Sequence, residues 1–168
     1  MQEKAKYDTG EVTLTLLDAA TAEQHLDNVG SVHCFPILND EVLFTLNPRG
    51  IDIIGGHVEK GENAIEALIR ESMEEGCIEV VSYKLIGGIE VDNTNNPAAI
   101  AKGYPIKGYQ LFFAINEFKM NDFVATHECT GRIFMKPEEV KEKHHNWLKV
   151  HQALLNEAIR PNKHKPKI

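Results

Sequence analysis

Three glutamates close to one another, Glu71, Glu74 and Glu75, are the residues in this chain whose spacing could do chemistry. At about 100° per helical residue they share an arc of roughly 100°. Ile65, Leu68, Ile69 and Met73 recur at helical spacing on the other side, so residues 63–75 read as an amphipathic helix. Like charges four residues apart repel, and the C-terminal end of a helix disfavours anions. No Lys or Arg follows these glutamates at i+3 or i+4. A bound cation explains such crowding, and hard oxygen donors suit Mg²⁺ or Mn²⁺, which share their coordination with substrate phosphates. An ordinary solvated acidic face is the competing reading. It leaves unexplained the glycine-rich stretch Gly55–Gly61 just upstream.

Taken together, the segment contains Gly56, five residues, Glu62, seven residues, Arg70-Glu71, two residues and Glu74-Glu75. At ordinary residue frequencies, six such matches arise by chance about once in ten million starting positions. The segment resembles the Nudix box. It departs from that pattern at Ser72, where an apolar residue is usual, and at Cys77, which stands where the box closes with glycine. Gly76 is expected to supply the left-handed cap that ends the helix, and Cys77 to be a small buried hydrophobe.

The resemblance implies an α/β/α sandwich built on a mixed β-sheet. It also implies a hydrolase that cleaves the diphosphate linkage of a nucleotide-like small molecule with Mg²⁺ or Mn²⁺. Glu71, Glu74 and Glu75 would be the metal ligands and the Gly55 carbonyl would complete the shell. Glu71 is one candidate for the base acting on water. Arg70 and Glu62 would pair and, with Gly56, support the loop. Glu128, just before Arg132-Ile133-Phe134, is the candidate fourth acid, and an exposed loop carboxylate is its equal alternative. The compact length is similar to MutT-like members acting on nucleoside triphosphates, including oxidised deoxynucleotides. A catalytically weak nucleotide-binding sensor or interaction module is the alternative.

Other residues carry less. His57 reads first as exposed and second as a group facing phosphate. His127 reads as a loop residue before a substrate contact. His144 and His145 precede the last helix; neighbours on a helix point apart, so joint ligation is not expected. Tyr104, Tyr109, Phe35 and Asn93–Asn96 are candidates for substrate stacking or hydrogen bonding, against a core role for the aromatics.

The elements that must position these groups are strands at 12–16, 29–38, 41–46, 51–54, 77–89, 109–115 and 133–135, with a turn at Asn39-Asp40. A long loop spans 92–105, a helical turn opens at Pro137, and a last helix spans 146–159. Residues 1–160 are expected to form one domain, and 161–168 a basic flexible tail.

The 168 residues carry a net charge of −7, which disfavours general nucleic-acid binding. Cys34, Cys77 and Cys129 fit no zinc or disulfide pattern, so a reducing cytoplasm is expected. No apolar run is long enough for a membrane span. A homodimer is compatible with the resemblance.

Overall fold

The computed structural model describes residues 1–126 and 128–161. His127, read as a loop residue or substrate contact, and the residues after Pro161, read as a flexible tail, lie outside the described residues.

The elements run β1 (Gln2–Tyr7), β2 (Gly10–Asp18), α1 (Ala19–Glu23), β3 (Ser31–Leu38), β4 (Glu41–Asn47), β5 (Gly50–Asp52), β6 (Ile54–His57) and α2 (Ala64–Gly76). They continue with β7 (Ile78–Asp92), α3 (Pro97–Ala101), β8 (Lys107–Met120), β9 (Gly131–Met135), α4 (Pro137–Lys143) and α5 (Lys149–Ile159). The strands order as β1-β2-β7-β8-β3-β4-β5, with β6 on β3 and β9 on β4. β3 runs parallel to β8, and β7 antiparallel to it, so the sheet is mixed.

Both faces of the central strands are covered. Along β8, Leu111, Phe113 and Ile115 join one apolar cluster with Ala64, Ala67 and Leu68 of α2. Phe112 and Ala114 join another with Val150, Leu154 and Leu155 of α5. This period-two alternation is what a strand buried on both faces requires. Each fully buried phenylalanine there contributes about 2 kcal/mol. The result is a helix–sheet–helix sandwich.

Several boundaries differ from expectation. β1 is an edge strand in which Ala5 is the buried residue, too weak an alternation to read. The stretch 51–54 divides into β5 and β6, and the first glycines of the glycine-rich loop belong to β6, which pairs with β3. The loop at 92–105 contains α3, opened by Pro97 and capped by the Asn96 side chain. The Asn39-Asp40 turn has both residues at positive φ, 52° and 64°, as a tight hairpin needs.

Candidate active site

The N-cap Asn63 accepts from Glu66 N–H while the Glu66 carboxylate accepts from Asn63 N–H, fixing the start of α2. Its glutamates then meet β6. A Cβ on Gly56 would collide with the Glu71 carboxylate, so a side chain there would displace it. Gly55 N–H donates to Glu75 Oε2 at 3.0 Å.

Arg70 joins the loop to the helix. Its guanidinium donates to both oxygens of Glu62 at 2.7 and 3.0 Å and to the His57 carbonyl at 3.0 Å. It also donates to Glu71 at 2.7 Å and Glu74 at 3.2 Å. Relief for the acidic face therefore comes from within the helix, one turn before Glu74, and not from a cation downstream. The hydrogen bond from Arg70 holds the Glu62 carboxyl below its ordinary range.

Burial raises the proton affinity of Glu71, against the opposing pull of Arg70. Burial pushes Glu75 up to about 7, opposed by the Gly55 N–H.

The two departures from the box pattern are accommodated. Ser72 is fully buried, with its Oγ 3.6 Å from Cys34 Sγ. Gly76 remains helical, and a Cβ there would press on Ile54 Cδ1 at 3.0 Å. The left-handed cap is Cys77, at φ 50° and ψ 45°, not Gly76 as the sequence suggested. Close packing claims the glycine, so the next residue takes the strained backbone. The Cys77 thiol is anchored to the Val124 backbone, accepting from its N–H at 3.4 Å and lying 3.7 Å from its carbonyl.

Three further contributors come from distant segments and leave no local signal. Arg132 donates to the carbonyls of Gly76 at 2.7 Å, Cys77 at 3.2 Å and Asn121 at 2.6 Å. It thereby places a cation at the C-terminus of α2, where the dipole favours one. Thr126 Oγ1 donates to the Glu74 carbonyl at 2.7 Å, and Cys129 of the same loop contacts the Glu75 carboxylate. Glu128, between them, points elsewhere: its side chain is 69% exposed and lies 3.7 Å from Arg49.

His144 and His145 are not on a helix. α4 ends at Lys143, His144 is extended, and the two rings stack at 4.8 Å. They and Asp52 each present a ligand atom within 4.8 Å of the others, because off the helix the two neighbouring rings can lie side by side. The contacts nevertheless describe a polar cluster around Asp52. His144 Nδ1 accepts from Asn146 N–H at 3.0 Å, which places the ring proton on Nε2, 3.3 Å from Asp52 Oδ1. Arg49 lies 3.5 Å from the same carboxylate. Burial works to raise Asp52, but His144, His145 and the Asn47 amide hold it at about 2.

Two cavities flank the β3–β6 pair. One, about 370 Å³, is lined by Ser31, His57, Asn93, Tyr104 and Tyr109, which brings four of the candidate substrate residues to one place. The other, about 420 Å³, is lined by His33, Arg49, Asp52, Phe112 and His145. Phe35 is wholly buried in the core and reaches neither.

A family profile of the NUDIX domain matches residues 27–167. The chain belongs to the Nudix family. Solved structures resemble it over most of its length. A pyrophosphohydrolase of Bacillus subtilis superposes with a TM-score of 0.57 at 21% identity, over 88% of this chain and 80% of the other. A Nudix hydrolase from Nitrosomonas europaea gives a TM-score of 0.59 at 20% identity, over 77% and 86%. An ADP compounds hydrolase gives 0.56 at 13% identity, over 94% and 90%. At these identities the likeness concerns the Nudix fold. A search of curated proteins finds no significant match.

Proposed function

We propose that this Nudix domain hydrolyses the diphosphate linkage of a nucleotide-like substrate with the help of Mg²⁺ or Mn²⁺. The observation that carries the reading is the clamping of Glu71 and Glu75 against the glycine strand. Glu75 accepts from Gly55 N–H at 3.0 Å, and Gly56 leaves room for the Glu71 carboxylate. By chemistry the donors, three carboxylates with the Gly55 carbonyl as a fourth oxygen, suit a hard divalent cation, which would have to draw them together, since among the described residues it is Asp52, His144 and His145 whose ligand atoms lie within 4.8 Å of one another. Such a cation, when bound, neutralises diphosphate oxygens and lowers the pKa of coordinated water.

The chain's own residues do the rest. Arg70 fixes Glu62, Glu71 and the β6 end in one arrangement, so the carboxylates are positioned before substrate arrives. Glu71, or Glu75 with its raised proton affinity, takes the proton of the attacking water. Glu128 is the fourth carboxylate of the proposal, on the loop whose Cys129 touches Glu75. His57, beside the box and facing the 370 Å³ cavity, contacts the substrate, with Tyr104 and Tyr109 flanking the base. A nucleoside triphosphate, including an oxidised deoxynucleotide, is the proposed class. The buried free thiols suit a cytoplasmic setting.

A second reading, a catalytically weak nucleotide-binding module, draws on the hold that Arg70 keeps on Glu71 and Glu74. A Mg²⁺-dependent phosphate-release screen separates the two, using nucleoside triphosphates, ADP-ribose, dinucleoside polyphosphates and capped RNA. Turnover of nucleoside triphosphates that EDTA abolishes is expected. Nucleotide binding with no turnover in Mg²⁺ or Mn²⁺ would favour the module.

A further inference from the structure

The chain has four arginines, and three are committed. Arg70 holds the box carboxylates. Arg132 serves the end of α2, and Arg160 pairs with Glu157 at 3.1 Å. Arg49 differs. It stands in the turn between β4 and β5 with its side chain 61% exposed. Among the described residues its two ionic contacts are long, 3.5 Å to Asp52 and 3.7 Å to Glu128. Exposed pairs of that length contribute little.

Both partners border the candidate active site. Asp52 lies three residues before Gly55, whose N–H binds Glu75. Glu128 directly precedes Cys129, which touches the Glu75 carboxylate. Arg49 also lines the 420 Å³ cavity with His33 and Phe112. A weakly held guanidinium thus lines a cavity next to the segments that meet Glu75.

We propose that Arg49 clamps a substrate phosphate lying beyond the scissile linkage, and so selects nucleoside triphosphates over nucleoside diphosphate sugars. This rests on the pyrophosphohydrolase reading of the same site. The exchange is physically favourable. Asp52 does not depend on Arg49, because the Ile53 N–H, the Asn47 amide and His144 also meet its oxygens. Glu128 gives way: a phosphate carries more charge and offers oxygens that match the guanidinium fork. A neutral sugar in the same position would gain nothing from the fork and would leave Arg49 with its resting partners.

The test uses the full chain in Mg²⁺, with equilibrium binding of inorganic tripolyphosphate alongside kinetics on a nucleoside triphosphate and ADP-ribose. Arg49→Ala should weaken tripolyphosphate binding and raise KM for the triphosphate, each by roughly tenfold. Its kcat should stay within about threefold, and kcat/KM for ADP-ribose should not change. Arg49→Lys should recover only part of the loss, since an ammonium cannot fork. Glu128→Gln should tighten tripolyphosphate binding by about threefold, because it removes the competing anion. Thermal melts of each variant control for folding. Tripolyphosphate affinity unchanged in Arg49→Ala, absent in wild type, or an equal KM rise for ADP-ribose would overturn the proposal. Lack of turnover by wild type would fell the hydrolase reading instead, and the tripolyphosphate arm would still decide the role of Arg49.

Discussion

Glu75 is under two opposing demands. Burial favours its protonated form, while metal ligation needs the carboxylate. In cation-free protein its pKa of about 7 exceeds the unfolded value of about 4.3. Between those values the folded chain holds a proton that the unfolded chain has lost. Stability from this group is therefore full below about pH 4.3 and is lost as pH rises to about 7. Glu75→Gln removes the effect, so in EDTA its melting temperature should gain on wild type steadily between pH 5 and 7. A constant difference across that range would refute the assignment. With saturating Mg²⁺ the same variant should lose at least ~10²-fold in kcat, and Glu128→Gln about tenfold. Wild-type turnover in Glu75→Gln with none in Glu128→Gln would mean that the helix is not the main metal platform.

At the level of elements, α2 is held at both ends by residues of different visibility. Its start, its apolar face and its carboxylates were readable, because capping residues, helical spacing and the box all lie within some twenty residues. Its end was not. Arg132 and Cys129 are close to α2 only through the sheet, and the left-handed backbone of Cys77 follows from packing around Gly76. Cys77→Gly should therefore be more stable than Cys77→Ala by about 1 kcal/mol in denaturant titrations, since both lose the thiol contacts and only alanine keeps the strain. Equal stabilities would remove strain from the account. Arg70→Ala leaves Glu62 and Glu71 without their shared cation and should cost roughly 2–3 kcal/mol as well as rate; an unchanged melting temperature would deny Arg70 its bracing role. α5 carries another pH dependence. Burial lowers His151 to about 3 and His33 to about 4. Both lie below the unfolded value of about 6.5, so their stability contribution is lost as pH falls from 6.5 through about 4 for His33 and about 3 for His151. His151→Phe should flatten that acid limb in thermal melts; a limb as steep as that of wild type would exclude His151 as a source.

For the molecule as a whole, the sandwich was legible from strands alternating with two separated helices, and the family from one segment. Less legible were weakly patterned pieces: β1, α1 and α3 are short or nearly polar, and their places are set by neighbours rather than by their own periodicity. Cation binding should couple the parts. Mg²⁺ or Mn²⁺ at about a hundred times its Kd should add about 2.7 kcal/mol, a rise of some 5–10 °C in Tm for a chain of this size. No rise, or turnover that survives excess EDTA, would contradict the proposed metal dependence.

The longest strand has a further consequence. β2 covers β7 only from Gly87 to Asp92, and among the described residues no other strand is paired along that side of Ile78–Ile86. Such an open margin, with Val81 and Tyr83 exposed on it, ordinarily invites a neighbouring molecule to add its own strand and begin a fibre. β7 breaks step with β8 between Val80 and Ser82, between Ser82 and Lys84, and between Leu85 and Gly87. An incoming strand would meet donors and acceptors out of phase every few residues. The irregularities that spoil the ladder within the molecule thus make this border a poor template for a strand from a second copy.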